Sequence, residues 1–170
     1  MLLNLFTRRD FASRLATLFP GLGLAAAQPA SAAAKSKEEK GEVKKLNWEG
    51  KPADPNSFIT ALITHNDVIY IAGQGAHSHD TGETFPMDIE NHTKHVMENV
   101  KHLVETGGGS MDSILQLTVY LAKIDDYDGM NKVFKTYFPH GGPARTTVAV
   151  ASLPGNSLVE INCIAAVIRK

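Results

Sequence analysis

The sequence predicts an α+β domain in which a mixed β-sheet carries two helices on one face. Strand-like stretches rich in β-branched residues cluster before and after two segments with helical periodicity, and this clustering favours α+β over a strict alternation of strands and helices. The chain has 170 residues, of which 43% are hydrophobic. That composition is sufficient for one packed core and excludes general disorder.

The strands come in two groups separated by the helical segments. Two stretches flank the polar residues 65–67 and predict a hairpin, and two more flank a turn at Pro154-Gly155 and predict a second hairpin at the C-terminal end. The expected element order is β-β-β-α-β-α-β-β, and five of its six strands have an assigned stretch. The stretches with strand composition are Ser57–Thr64, Asp67–Gly73, Ile114–Ala122, Thr146–Ala151 and Leu158–Val167.

The two helical segments have an apolar stripe along one face. In Asp88–Thr106, apolar residues recur with a period of 3.6, and Gly107-Gly108-Gly109 supplies the positive φ that a helix end favours. In Asp125–Phe138, the aspartates at the start suit the positive end of the helix dipole. The predicted buried stripe of this second helix consists of Tyr127, Met130, Val133, Phe134 and Phe138.

Residues 1–34 have the order of an export signal. Arg8 and Arg9 precede the apolar run Leu15–Ala27, and small residues follow, with cleavage expected after Ala32 or Ala34. The run is too short to span a bilayer, which needs about 20 apolar residues. The paired arginines resemble the twin-arginine motif, which implies a bacterial protein exported in the folded state to the periplasm. Ordinary secretion and retention as an uncleaved anchor are the alternatives.

The remaining chain divides into a linker and one domain. Residues 35–45 are mostly charged, which is typical of a solvated linker. We therefore expect the folded domain to occupy residues 46–170, with membrane contact only during export. The formal net charge of −1 argues against a nucleic-acid partner, since such proteins carry a basic surface.

The sequence contains no recognisable metal or disulfide pattern. Cys163 is the only cysteine, which excludes an internal disulfide and any site with several cysteine ligands, and its apolar neighbours predict a buried thiol. Histidines at 77 and 79 lie in a predicted loop. His92, His95 and His102 flank the apolar stripe of the first helix, so we expect them to be solvated rather than metal ligands.

Two isolated charges mark the candidate site. Between Val133 and Ala165, the only charged residues are Lys135, Arg145 and Glu160. Arg145 precedes a strand that is otherwise uncharged, and Glu160 lies in the following strand. Because burying either charge is costly unless it is paired, the sequence predicts one of two arrangements: an internal Arg145–Glu160 ion pair, or a pair of ligand-facing groups.

The motifs around these charges resemble the reactive-intermediate deaminase family, the RidA-like or YjgF-type proteins. The strongest matches are Pro143-Ala144-Arg145, Leu153-Pro154 and Val159-Glu160-Ile161. The resemblance implies a chorismate-mutase-like subunit that forms a homotrimer with clefts between neighbours. Further matches in family order are Gly73-Gln74, Thr81-Gly82-Glu83, Glu98-Asn99-Val100, Gly107-Gly108, Thr118–Leu121 and Asn131.

The resemblance also implies a reaction and its residues. Deaminating members hydrolyse 2-imino or enamino acids to 2-keto acids and ammonia, without a metal or an organic cofactor. Arg145 matches the arginine that holds the substrate carboxylate, and Glu160 matches the glutamate that positions water. Gly73, Thr147 and Asn131 match positions assigned to substrate binding.

Two positions depart from the deaminating pattern. Ile59 stands where tyrosine is usual, and Ala72 where serine is usual, so two hydroxyl groups that help to hold the substrate are missing. Thr147 replaces a common cysteine but keeps a hydroxyl. Three hypotheses follow: an exported imine deaminase, a non-catalytic carboxylate-binding or partner-binding trimer, and a deaminase of an aminomuconate-type acid.

Overall fold

A six-stranded mixed sheet with the order β1-β2-β3-β6-β4-β5 forms the framework. The computed structural model describes residues 41–78, 81–82 and 88–169; the expected export signal (residues 1–34) lies outside the described residues, as does most of the linker. The strands are β1 (Val43–Leu46), β2 (Leu62–His65), β3 (Val68–Gln74), β4 (Ile114–Leu121), β5 (Ala144–Ala149) and β6 (Val159–Ala166). The helices are α1 (Ile89–Thr106) and α2 (Tyr127–Phe134). The predicted element order and α+β class are confirmed.

The N-terminal strands differ in extent from the expected ones. β1 begins at Val43, within the predicted linker, and pairs antiparallel with β2. β2 begins at Leu62, five residues later than predicted, because Asp54 and Ser57 close a turn and the following segment is exposed. The hairpin between β2 and β3 is confirmed, and Asn66 supplies its positive φ of 54°.

The prediction of a second hairpin, between β5 and β6, is wrong. β6 lies between β3 and β4 and is antiparallel to both, whereas β5 pairs parallel with β4 at the edge of the sheet. β6 buries every second residue, Val159, Ile161, Cys163 and Ala165, so a central position suits it. The turn at Gly155 exists, with φ of 62°, but it carries the chain across β4 instead of back along β5.

The core lies between the sheet and α1. The buried face of α1 includes Val96, Met97, Val100, Leu103 and Val104, as its periodicity predicts. Asp88 caps the helix by accepting a hydrogen bond from Asn91 N at 2.8 Å, and these hydrogen bonds lower the pKa of the Asp88 carboxyl. Gly108, with φ of 89°, lies directly beyond the helix end. No helix in the described residues is both long and apolar enough to cross a bilayer.

The helix histidines are not all solvated, contrary to expectation. His92 is fully buried, and its Nδ1 accepts a hydrogen bond from Leu158 N at 2.9 Å, which ties α1 to the start of β6. The His102 ring stacks on Trp48, with ring centroids 4.5 Å apart. Partial burial, and then the charge of Lys94, lowers the pKa of His95. The helical periodicity predicts the apolar stripe of α1 correctly. It does not predict the burial of His92, because the hydrogen-bond partner of His92, the Leu158 amide, is brought close only by tertiary structure.

Candidate functional site

Arg145 lies near the start of β5 with its guanidinium against α2. Its Nη1 donates to Asn131 Oδ1 at 2.8 Å, and its Nη2 donates to Tyr127 OH at 3.3 Å. The guanidinium carbon lies 4.7 Å from the centre of the Phe134 ring and 5.8 Å from that of Tyr127. Stacking and hydrogen bonding thus fix the planar group while leaving several N–H donors for an anion.

The Arg145 side chain is half-buried and lines a cleft of about 690 Å³ between β5 and α2. In the described residues, ion pairs within 4.0 Å join Lys44 to Glu42, Lys132 to Glu90 and Arg169 to Asp67. None of these pairs involves Arg145 or Glu160, so the internal ion pair considered from the sequence does not form within this part of the chain. The other residues of this cleft are Tyr127, Asp128, Asn131, Lys132 and Lys135.

Glu160 lies on β6 with its carboxylate directly over Gly73. A Cβ atom at Gly73 would clash with Glu160 Oε1, so the carboxylate can hold this position only while residue 73 has no side chain. Gly73 belongs to a bulge in β3, where the register against β6 shifts between Ile71 and Gln74. Bulges of this kind often occur beside active sites because they redirect one strand.

A second cavity of about 410 Å³ adjoins Glu160. Asn162 Oδ1, two residues along β6, is buried without a hydrogen-bond partner in the described part of the chain. Glu160 therefore supplies the carboxylate acceptor of this cavity, which a protonated nitrogen or a water molecule could satisfy. The cavity is lined by Ile71, Ala72, Gly73, Tyr120, Val150, Ser152, Leu153, Pro154, Glu160 and Asn162.

The sheet separates the two charged groups. Arg145 pairs with Leu117 of β4, which is buried in the core, whereas Glu160 pairs with Tyr120, three residues further along β4 and therefore on the opposite face. Paired residues on adjacent strands point to the same side, and successive residues alternate. Within one subunit, Arg145 therefore faces the helices and Glu160 faces the side of the sheet that the helices leave open.

The other predicted site residues fall into the same two groups, with one exception. Ala72 and Gly73 lie with Glu160, and Asn131 lies with Arg145. Thr147 points to the helix side, and its Oγ1 is buried without a described partner. Ile59 lies in the loop before β2, is 61% exposed, and lines neither cavity.

Sequence reasoning missed the role of Tyr127 and Asn162. Tyr127 belongs to the stripe predicted to be buried, yet it is 39% exposed and its hydroxyl contacts Arg145. The signal available in the sequence is that this tyrosine begins an amphipathic helix and lies between acidic residues. Asn162 is a lone amide in an apolar strand, and a polar side chain in such a strand is a signal of a functional acceptor.

A third cavity of about 420 Å³ adjoins Gly73 from the side of the loop after β3. Its lining includes Trp48, Asn99 and His77. The His77 ring lies against Gly155, where an added Cβ would meet His77 Cε1 at 2.6 Å. His79, the second histidine of this predicted loop, lies outside the described residues. No group of three or more His, Cys, Asp or Glu side chains in the described ranges could hold a metal ion.

Comparison with known proteins identifies the family. Residues 50–167 match the family model described as Endoribonuclease L-PSP. A RutC family protein of Pyrococcus abyssi is 38% identical over 122 residues, covering 72% of this chain and 96% of the relative. The 2-iminobutanoate/2-iminopropanoate deaminase of Rattus norvegicus is 30% identical over 122 residues, which cover 72% of this chain and 88% of the relative.

A solved structure agrees with the sequence matches. The crystal structure of E. coli TdcF with bound serine superimposes with a TM-score of 0.65 at 28% identity, covering 75% of this chain and all of that one. The matched region contains every element that positions Arg145 and Glu160, from β2 to β6. The chain therefore belongs to the Endoribonuclease L-PSP family, the family of the RutC and RidA proteins.

Proposed function

We propose that this protein is an imine deaminase that hydrolyses 2-imino or enamino acids bearing a carboxylate to 2-keto acids and ammonia. One observation carries the proposal: the Arg145 guanidinium is held in place by Asn131 and Tyr127 and has no carboxylate partner among the described residues. A fixed planar guanidinium binds a carboxylate with two parallel hydrogen bonds. The deaminase name of the rat relative and the serine bound to TdcF support the same ligand class.

The complete site requires two copies of the chain. Because Arg145 and Glu160 lie on opposite faces of one sheet, a ligand that meets both groups meets them from different subunits. The open face of the sheet also carries partly exposed apolar side chains, Tyr70 at 43% and Val148 at 40%, which a neighbouring copy would cover. A chorismate-mutase-like homotrimer with three clefts satisfies both requirements.

The reaction needs little beyond positioning. Arg145 holds the carboxylate, and Glu160 of the adjacent copy orients a water molecule and accepts its proton as the oxygen bonds to the C=N carbon. That proton passes to the nitrogen and gives a carbinolamine. Glu160 then removes the proton of the new hydroxyl and returns it to the nitrogen as the C–N bond breaks, so ammonia leaves and the ketone forms. No step requires a metal or an organic cofactor.

The proposed location of the protein is the periplasm, which follows from the expected export signal. Arg8, Arg9 and the short apolar run that follows support translocation of the folded chain by the twin-arginine route. Appending residues 1–50 to a reporter protein that is active only after export tests this part. Export that depends on Arg8 and Arg9 supports it, whereas retention in the cytoplasm overturns it.

A non-catalytic ligand-binding trimer is the second candidate, and two residues favour it. Ile59 and Ala72 lack the hydroxyl groups that are usual at these positions of deaminating relatives. Ala72 lines the Glu160 cavity, so its missing hydroxyl group is missing from that cavity. Binding through Arg145 would survive this loss. Release of ammonia from freshly generated 2-iminobutanoate and from an aromatic imine separates the two candidates.

A protein-dependent rate above that of buffer on either imine supports the deaminase. Binding of 2-oxobutanoate without such a rate favours the binding protein. Activity on an aminomuconate-type acid but on neither imine favours the third hypothesis, a deaminase of that acid. Denatured protein and the Arg145→Ala variant serve as controls.

A further inference from the structure

The cleft beside Arg145 contains more positive charge than one carboxylate needs. Arg145, Lys132 and Lys135 all line it, against the single carboxylate of Asp128. Lys132 is already neutralised, because its Nζ lies 2.8 and 2.9 Å from the two carboxylate oxygens of Glu90. Lys135 has no such ion pair among the described residues. Arg145 and Lys135 are therefore two cations without an internal counter-ion in one cleft.

The spacing of these two cations is set by α2 and the turn that continues it. Asn131, which binds Arg145 at 2.8 Å, and Lys135 are four residues apart, and the chain between them is helical. Side chains four residues apart lie on the same helix face, with Cβ atoms about 5–6 Å apart. Lys135 therefore lies about one helical turn beyond the residue that binds the guanidinium, and its side chain lines the same cleft as Arg145.

We propose that Lys135 binds a second carboxylate of the ligand, so that the preferred substrates are dicarboxylic 2-imino acids, such as those derived from acidic amino acids. The inference rests on the proposed function, because Arg145 must hold the first carboxylate. The ammonium group of Lys135 contributes specificity and does not touch the reacting C=N bond.

Binding of two keto acids by the full-length protein tests the proposal. 2-Oxoglutarate and 2-oxobutanoate share the 2-oxo carboxylate, and 2-oxoglutarate adds a distal one. By calorimetry at low salt, we expect 2-oxoglutarate to bind about fivefold more tightly, the preference that one partly exposed ion pair can supply. Lys135→Gln should abolish this preference, because it should weaken the binding of 2-oxoglutarate and leave the binding of 2-oxobutanoate unchanged.

A charge-matched control separates a local contact from general attraction. Lys123→Gln removes the same charge from an exposed lysine that does not line the cleft, and it should leave the preference intact. The proposal is overturned if the wild type does not prefer the diacid, if Lys135→Gln keeps the preference, or if Lys123→Gln abolishes it equally.

Failure of the proposed function has a different signature. If Arg145→Ala binds 2-oxobutanoate as tightly as the wild type does, the anchor itself is wrong, and the assignment of Lys135 falls with it. If Arg145→Ala loses 2-oxobutanoate while the wild type shows no diacid preference, the anchor stands and only the role of Lys135 is rejected.

Discussion

Arg145 and Glu160 lie on opposite faces of the same sheet, on strands that both pair with β4. Arg145 is in register with the buried Leu117, and Glu160 is in register with Tyr120 on the open face. The sheet therefore separates a fixed cation from a carboxylate that the family resemblance assigns to one site. Under the proposed function, one ligand meets both groups only across an interface between two copies of the chain.

Arg145→Ala should abolish ligand binding without unfolding the protein. The change removes the charge-assisted hydrogen bonds to the carboxylate, each worth about 1.5–3 kcal/mol, so kcat/KM for 2-iminobutanoate should fall at least about 100-fold. The side chain is only half-buried, so the melting temperature and the assembly size should change little. Activity close to that of the wild type would refute the assignment of Arg145.

Glu160→Gln should reduce turnover more than binding. The amide keeps the shape of the side chain over Gly73 but cannot accept the proton of the attacking water. We expect kcat to fall about 100-fold or more, in the range of general-base catalysis, while the dissociation constant of 2-oxobutanoate changes little. A loss confined to binding would instead assign Glu160 to ligand positioning.

Gly73→Ala should disturb the site through Glu160. The new Cβ would clash with Glu160 Oε1, so the carboxylate must move away from the bulge. Gly142→Ala is the matched control, because its nearest neighbour would be Phe134 Cε1 at 4.0 Å and its φ is not positive. Steady-state rates should fall for the first variant only. Equal rates for both variants would mean that the position of the Glu160 carboxylate does not matter.

Cys163 should be chemically silent in the folded protein. Burial raises the pKa of its thiol to about 12, so the thiolate that reacts with disulfide reagents is scarce at pH 8. Because the unfolded thiol ionises near its ordinary pKa of about 8.5, this group makes folding less favourable as the pH rises above that value. A thiol-disulfide reagent should label the native protein slowly and the denatured protein at once. Rapid labelling at pH 8 without denaturant would contradict the assigned burial.

The sequence was most informative where a pattern depends on near neighbours. The helical period located α1 and its buried face, and the polar residues at 65–67 located the first hairpin. The position of β6 at the centre of the sheet was not predictable, since a turn at Gly155 is compatible with either a hairpin or a crossover. Register, not local pattern, decides the face on which a strand residue lies.

The same limit applies to the site. Motif resemblance selected Arg145 and Glu160, but it could not place them on opposite faces, because that depends on how β5 and β6 each pair with β4. The prediction that His92 is solvated is wrong because its hydrogen-bond partner, the Leu158 amide, is 66 residues away in the chain. Contacts of this range arise from tertiary structure and leave no periodic signal.

Mixed assemblies of two inactive variants test the composite site most directly. Arg145→Ala and Glu160→Gln chains, co-expressed with different affinity tags and purified through both, would place intact Arg145 and intact Glu160 at some interfaces. In a cyclic trimer that contains both kinds of chain, one of the three interfaces regains both groups, so imine hydrolysis should return to about one third of the wild-type rate. Mixed assemblies as inactive as either single variant would show that the two residues do not act on one ligand across a subunit interface.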